Sequence, residues 1–289
     1  MPVRCYWGVR THWKTDWWSI YLQGIQSAPI EALDIRHSPH TLPHLIIIPS
    51  YKESRATLRQ TLAILASHPL APHSYNVCLG MEQREEGSLQ KGQLLASEFE
   101  GKFSDIVVTV HPADIPGEVP GKGSNTRWAA RWMAEREAMK SRSTQSGMPT
   151  PTDTDVDAVI TIMDADTAFA ADYFLAVAVR YLLTSPEKRK VMMFVPPLIF
   201  DRNQSDVPAF TRVTDIMWST ASASYSSVLS AHLTLFDLQW NQWNLPFIHN
   251  QDTDVCLFHV TRPGHARGLL GRRSRRNRRR HAHVLQGSF

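Results

Sequence analysis

The stretch Ala158-Val-Ile-Thr-Ile-Met-Asp-Ala-Asp-Thr167 decides the fold that we predict for this chain. Its short β-branched run is typical of a buried strand, and two carboxylates, Asp164 and Asp166, follow where that strand ends. In an open α/β sheet the ligand crevice lies outside the carboxyl ends of the strands. Two carboxylates in such a crevice offer hard oxygen donors that suit Mg²⁺ or Mn²⁺ carrying a diphosphate.

The chain around this stretch alternates between strand and helix patterns. Compact apolar runs predict buried strands, and leucines at helical spacing after Ser54, a suitable N-cap, predict the first helix. Such alternation predicts an α/β fold with a mostly parallel sheet, right-handed crossovers and helices on both faces. The predicted strands are His44–Pro49, Tyr75–Met81, Ile106–Val110, Ala158–Met163 and Val191–Val195, and the later helices are Leu89–Phe103, Thr126–Met139, Ala170–Leu183 and a possible one from Phe210 to Tyr225.

The length of 289 residues is sufficient for one large α/β domain or two small ones. The three cysteines are widely spaced, which favours neither a disulfide framework nor a zinc site. The net charge is +4, but residues 262–289 contain nine arginines and no acid, so the rest of the chain has 22 basic residues against 27 acidic ones. Nucleic-acid binding would therefore depend on this tail alone.

We divide the chain into three parts. Residues 1–42 form a tryptophan-rich N-terminal extension, which packs on the domain or lies at a membrane interface. Residues 43–225 form the α/β domain, with a polar, proline-punctuated loop predicted to be disordered at 140–157. Residues 226–289 form an irregular, arginine-rich tail. The sequence shows neither a signal peptide nor a transmembrane segment.

A second polar segment, Gly121-Lys-Gly-Ser-Asn125, leads into the predicted third helix. Glycines, a lysine and a helix N-terminus together favour binding of an anion. The glycine spacing differs from that of a Walker P-loop, so the spacing alone does not predict a phosphate site. The prediction depends on the position of the segment, which lies in the crossover before the Asp164 strand.

Three motifs in this order, Pro49-Ser-Tyr-Lys-Glu53, Pro120-Gly-Lys-Gly-Ser-Asn125 and Asp164-Ala-Asp166, resemble those of glycosyltransferase family 2, with its GT-A fold. The likeness extends from about Pro43 to Ser219 and is greatest to fungal cellulose-synthase-like and chitin-synthase-like members, which are membrane-associated in full length and make polysaccharides. It implies transfer of a sugar from a UDP- or GDP-sugar to a glycan or other hydroxyl acceptor, with inversion and with Mg²⁺ or Mn²⁺.

The resemblance also implies roles for individual residues. Pro49, Ser50, Tyr51 and Glu53 would border the nucleotide pocket, and Glu82 would lie near the nucleoside base or ribose. Lys122 and Asn125 would approach the diphosphate, and Asp164 and Asp166 would bind the metal. The alternatives are that Glu53 and Glu82 are solvated loop acids, that Lys122 is a surface lysine, and that the aspartates belong to an ordinary turn.

The general base that the resemblance leads us to expect, in a Glu-Asp pair, does not follow Asp166 in the sequence. The codons of Arg280–Gly287, read from the second nucleotide, can spell Asp-Met-His-Met-Tyr-Phe-Lys, and those of Arg267–Arg272 can spell Val-Gly-Phe-Trp-Asp. Both resemble segments that these family members contain in that order. We therefore expect the C-terminal part to be truncated or translated out of frame, which the coding nucleotides would decide.

Two other functions stay open. The chain could be a non-catalytic nucleotide-sugar-binding remnant, because the acceptor-side motif is missing. It could also bind nucleic acid through the run Arg272–Arg280, although the acidic body of the chain contains no nucleic-acid motif.

Overall fold

The computed structural model describes residues 14–27, 37–144, 158–189, 192, 194, 196, 208–214, 216, 217 and 255–259. The described residues form helices and strands that alternate through most of the chain. In chain order the elements are α1 Trp17–Ser27, β1 His44–Pro49, α2 Arg55–Ala66, α3 Ala71–Ser74, β2 Tyr75–Glu82, α4 Ser88–Glu98, β3 Asp105–His111, α5 Lys122–Thr144, β4 Val159–Met163, α6 Tyr173–Leu182, α7 Pro186–Arg189 and β5 Val255–His259.

One sheet contains all five of these strands, in the order β3-β2-β1-β4-β5. The first four are parallel, and β5 runs antiparallel to β4. Ile47 in β1 pairs with Cys78 on one side and with Ile162 on the other, so the strand order reverses beside β1. The predicted α/β fold with a mostly parallel sheet is confirmed. A reversal of strand order is where open α/β sheets commonly bind ligands, so we expect a binding site at the carboxyl ends of β1 and β4.

The core lies on both faces of the sheet because side chains alternate along each strand. On one face Ile46 and Ile48 pack with leucines of α2, and on the other Leu45 and Ile47 pack with Ala129 and Met133 of α5. All four residues of β1 named here are at most 1% exposed, as expected for a central parallel strand. Helices therefore cover both faces, as predicted.

Helix α1, from the tryptophan-rich segment, packs against α6. Tyr21 contacts a cluster that includes Val177 and Tyr181, and the Arg180 guanidinium lies 5.6 Å from the centroid of the Trp17 ring. None of the helices in the described part of the chain is long and apolar enough to cross a membrane.

Several predicted boundaries were wrong. Helix α4 ends at Glu98, well before Phe103, and Gly101 then turns the chain with a positive φ of 73°. Helix α5 begins at Lys122, so the Gly121–Asn125 segment enters the helix instead of preceding it. The same helix continues to Thr144 into the predicted loop, because Lys140 Nζ lies 2.9 Å from the Asp105 carboxylate.

Strand β5 was not predicted from the sequence. It lies within the segment 226–289 that we expected to be irregular, and Leu257 pairs with Thr161 of β4. Residues 209–214 are helical, in agreement with part of the predicted helix from Phe210. Residues 145–157, residues 191, 193 and 195 of the predicted fifth strand, and the arginine-rich tail lie outside the described residues.

Candidate functional site

Polar residues follow or end each of the four parallel strands at one edge of the sheet, which we call the carboxyl edge. Ser50 follows β1, Glu82 ends β2, His111 ends β3 and Asp164 follows β4. Pro49, the last residue of β1, pairs with Gly80 of β2. Parallel strands end at the same edge, so residues distant in sequence come together here.

Lys122 and Asp164 are in contact at the carboxyl edge. The Lys122 ammonium forms an ion pair with Oδ1 of Asp164, although 42 residues separate them in sequence. Their side chains are 40% and 21% exposed, so the pair is open to solvent. The structure thus brings the lysine of one predicted motif onto the first carboxylate of another.

The Asp-Ala-Asp motif forms a turn after β4. The backbone N–H of Thr167 donates to the carbonyl of Asp164 at 3.1 Å, and Asp166 is exposed. The hydroxyl of Thr61, on helix α2, donates to the carbonyl of Ala165 and so attaches the turn to the domain. The alternative that these aspartates belong to a turn is therefore correct as a description of the backbone, and the turn keeps Asp164 beside Lys122.

The loop Ser50–Glu53 is held by its own acid. The Glu53 carboxylate accepts a hydrogen bond from the Ser50 hydroxyl at 3.0 Å and another from the Tyr51 backbone N–H. Ser50 is buried, whereas Tyr51 is 38% exposed. Glu53 is thus not a merely solvated loop acid, because it fixes the loop that presents Tyr51.

A second group of charged residues holds the same loop from outside. Lys52 has a positive φ of 69°, and its backbone N–H donates to Glu85 Oε2 at 2.9 Å. Lys91 pairs with Glu85 and also donates to the Glu53 carbonyl at 2.9 Å. A left-handed conformation at a residue other than glycine costs free energy, and these contacts maintain it here.

Glu82 lies buried at the end of β2 and is only 1% exposed. The Arg84 guanidinium donates to its Oε2 through two nitrogens, with Nε at 2.8 Å. That guanidinium also lies 4.6 Å from the centroid of the Tyr51 ring. Glu82 is therefore an acid neutralised by Arg84 and not a solvated loop acid.

Asn125 faces the interior of the domain. Its side-chain amide donates to the Gly80 carbonyl at 2.7 Å, and the Ser50 backbone N–H donates to the same carbonyl at 2.8 Å. The Asn125 Oδ1 atom is buried and has no hydrogen-bond partner among the described residues. Asn125 thus joins α5 to the sheet, and its approach to a diphosphate stays a prediction.

A cavity of about 470 Å³ lies beyond the ends of β2 and β3, close to Glu82 in sequence. It opens widely to solvent, so it is a surface groove and not an enclosed site. Part of its lining comes from Gln83, Glu85, Ser88, Val110 and Pro112.

The carboxyl edge offers a divalent cation two carboxylates, so water or a bound ligand must supply the other coordination positions. The described residues contain no group of three or more His, Cys, Asp or Glu side chains that could hold a metal ion. Mg²⁺ commonly binds one or two carboxylates, with substrate phosphates and water as the other ligands. Asp164 and Asp166 are two carboxylates of this donor type, and Lys122 contacts the first of them.

Sequence reasoning missed Arg84, Lys91 and Thr61. Arg84 lies two residues after Glu82, which was a usable signal once β2 was known to end there. Thr61 is a fully buried polar residue on the apolar face of α2, and a polar residue at such a position calls for a partner. Lys91 gave no signal, because its partners depend on the packing of α4.

No protein-family model matches the chain, and no curated protein matches it. One similar solved structure is the mannosyltransferase PcManGT from Pyrobaculum calidifontis, in complex with GDP-Man and Mn²⁺. The two are 13% identical, with a TM-score of 0.33, over 71% of this chain and 50% of that one. The chain therefore matches half the length of that enzyme, and a likeness of this degree does not establish a common activity.

Proposed function

We propose that the chain binds a nucleotide-sugar and a divalent cation at the carboxyl edge and is a glycosyltransferase of family 2 with a GT-A fold. The observation that supports this most is the contact of Lys122 with Asp164 at the reversal of strand order. A lysine and a carboxylate pair at this place provide both a phosphate contact and cation ligands.

The residues at the edge have distinct tasks in this proposal. Asp164 and Asp166 hold the cation, which when bound supplies positive charge to the departing nucleoside diphosphate. Lys122 donates to the diphosphate oxygens, and its charge stabilises the leaving group as the anomeric bond breaks. The Thr61 contact with the turn keeps the carboxylates in place, so little reorganisation is needed.

The nucleoside lies, in this proposal, on the β1 and β2 side of the edge. Tyr51 is exposed there, and its ring already contacts the Arg84 guanidinium. Glu82 is buried beneath, so it acts on the nucleoside chiefly by positioning Arg84. Pro49, Ser50 and Glu53 shape the loop that holds Tyr51.

The acceptor side is the open part of the proposal. Inverting transfer to a hydroxyl needs a base to remove the acceptor proton, and no Glu-Asp pair follows Asp166 in the sequence. This absence favours a second candidate, a protein that binds the donor without transferring its sugar. The two differ in donor turnover: a transferase releases UDP or GDP from UDP-glucose, UDP-N-acetylglucosamine or GDP-mannose, and a binding protein does not.

Isothermal titration with UDP and with GDP, each in the presence of Mn²⁺, tests the site. We expect binding to the wild type and at least a tenfold loss in an Asp164→Ala/Asp166→Ala double variant, because the cation loses both carboxylates, about 1.4 kcal/mol or more. Glu100→Ala is the control, since Glu100 is an exposed acid before β3, at the opposite edge. Equal affinity in the wild type and the double variant would refute the assignment.

A further inference from the structure

Lys122 contacts the same carboxylate to which the proposed cation would bind. Its ammonium lies on Oδ1 of Asp164, and this carboxylate is the first of the two proposed metal ligands. An ammonium and a divalent cation repel each other, so binding both to one carboxylate costs Coulomb energy. Binding of the cation to Asp164 therefore weakens the contact with Lys122 and favours its release.

The released Lys122 side chain would lie beside a helix N-terminus that favours an anion. Lys122 is the first residue of α5, where free backbone N–H groups and the positive end of the helix dipole also favour an anion. The backbone there is fixed, because the Ser124 hydroxyl donates to the Gly121 carbonyl at 2.8 Å and the Asn125 amide joins the helix to β2. Only the lysine side chain needs to move.

We propose that Lys122 is an exchangeable counter-ion: it neutralises Asp164 in the free protein, and cation binding transfers it to the diphosphate of the nucleotide. The exchange couples the two ligands, because the cation frees the lysine for the diphosphate, and the diphosphate removes the lysine from the cation site. Such coupling is reciprocal for binding free energies. This inference rests on the proposed donor site. It adds that the cation and the diphosphate each change the affinity of the protein for the other, which the donor site alone does not require.

The Lys122→Met variant separates exchange from simple binding, because it should change the two affinities in opposite directions. Without nucleotide, Mn²⁺ should bind about two- to five-fold tighter than in the wild type, since a half-exposed ion pair with Asp164 is only weakly stabilising. With saturating Mn²⁺, UDP or GDP should bind about tenfold more weakly, because a charge-assisted hydrogen bond is lost. Water-proton relaxation measures Mn²⁺ binding, and titration calorimetry measures nucleotide binding.

Two further variants control the measurement. Lys102→Met removes a charge from the exposed turn before β3 and should leave both affinities unchanged. Lys122→Arg keeps a cation beside Asp164 and should leave the affinity for Mn²⁺ alone near that of the wild type. Circular dichroism checks that α5 is intact in each variant.

The outcomes distinguish this inference from the proposed function. If Lys122→Met leaves Mn²⁺ affinity unchanged or lowers it, while the Asp164→Ala/Asp166→Ala variant loses both ligands, the exchange is wrong and the donor site stands. If the double variant binds both ligands as the wild type does, the donor site is wrong and the exchange with it.

Discussion

At the scale of single residues, His44 is the clearest example of a polar group used as a core residue. It begins β1, is fully buried, and meets the rings of Phe174 and Tyr75 edge-on at 5.2 and 5.9 Å. Neither ring nitrogen has a hydrogen-bond partner among the described residues. Burial lowers the pKa of His44 from 6.5 to about 3, so the folded protein keeps this histidine neutral.

We predict that His44 makes the protein less stable in mild acid. The pKa of His44 is lower in the folded state, so between about pH 3 and pH 6.5 the unfolded chain binds a proton that the folded chain does not. Proton binding by the unfolded chain therefore lowers the free energy of unfolding as the pH falls below 6.5. By about pH 4 the free energy of unfolding should fall by about 3 kcal/mol from this residue alone. Urea unfolding between about pH 7 and about pH 4 measures this loss.

The His44→Phe variant should reduce the dependence on pH, because phenylalanine packs against the same rings without titrating. The matched control is His73→Phe, at an exposed position in α3. In this variant the free energy of unfolding should change with pH as it does in the wild type. If the free energy of unfolding of His44→Phe falls with pH as steeply as that of the wild type, other groups cause the acid sensitivity.

Some single residues could be predicted from sequence and others could not. Ser54 was expected to cap α2, and its hydroxyl accepts from the Thr57 N–H at 3.0 Å, because a cap is a local interaction. The contact of Lys122 with Asp164 depends on two elements meeting, and motif order placed the residues near each other without showing the ion pair. The burial of Glu82 and Asn125 depends on packing and had no sequence signal.

At the scale of elements, the approach of α5 to β2 depends on Gly80. A Cβ atom at this position would lie 3.1 Å from the Asn125 Oδ1 atom and 3.6 Å from both the Ala129 Cβ and the Pro49 Cα. The Gly80 carbonyl also accepts from Asn125 and Ser50. Helix and strand therefore meet at the point where the loop of Ser50 begins.

We predict that Gly80→Ala destabilises the protein by about 1 to 3 kcal/mol, the usual effect of adding a methyl group to a tightly packed site. The added carbon requires the Asn125 side chain to shift by a few tenths of an ångström, which strains its hydrogen bond to the Gly80 carbonyl, so we expect nucleotide affinity to fall as well. Gly123→Ala is the control, because a Cβ there meets nothing within 4 Å. Urea unfolding measures the free energy of unfolding of both variants. Equal values would contradict the prediction, because they would mean that α5 accommodates the added carbon without loss of stability.

The errors in element boundaries have physical causes at this same scale. The first turn of α5 contains glycines that disfavour a helix, yet the contact of Asn125 with β2 holds it helical. The last turns extend into a polar stretch because Lys140 finds Asp105 at the start of β3. Tertiary contacts thus outweighed local preference at both ends of the helix.

At the scale of the whole molecule, the sequence predicted the class of fold because each parallel strand is a compact apolar run between proline, glycine and polar residues. The order β3-β2-β1-β4 follows from right-handed crossovers only if the chain reverses after β3, and no local pattern encodes that reversal. Strand β5 was missed because its partner β4 lies far away in sequence.

The predicted change of reading frame concerns residues outside the described part of the chain, and it stays a prediction. Sequencing the coding nucleotides downstream of Tyr225 tests it directly. We expect the shifted frame to be open and to contain Glu-Asp-Met-His, the pair that would supply the missing base. A stop codon in that frame would refute the hypothesis.

Strand β5 covers the backbone edge of β4, which should oppose association of two molecules through β4. Without it, β4 would present a row of unpaired N–H and C=O groups on an apolar strand, Val-Ile-Thr-Ile-Met, which could template a second molecule. Backbone N–H groups alternate in direction along an antiparallel edge, so only one of Cys256 and Leu257 donates to β4. Of the variants Cys256→Pro and Leu257→Pro, one should therefore aggregate on warming and the other should scatter light as the wild type does, with the alanine variants as side-chain controls.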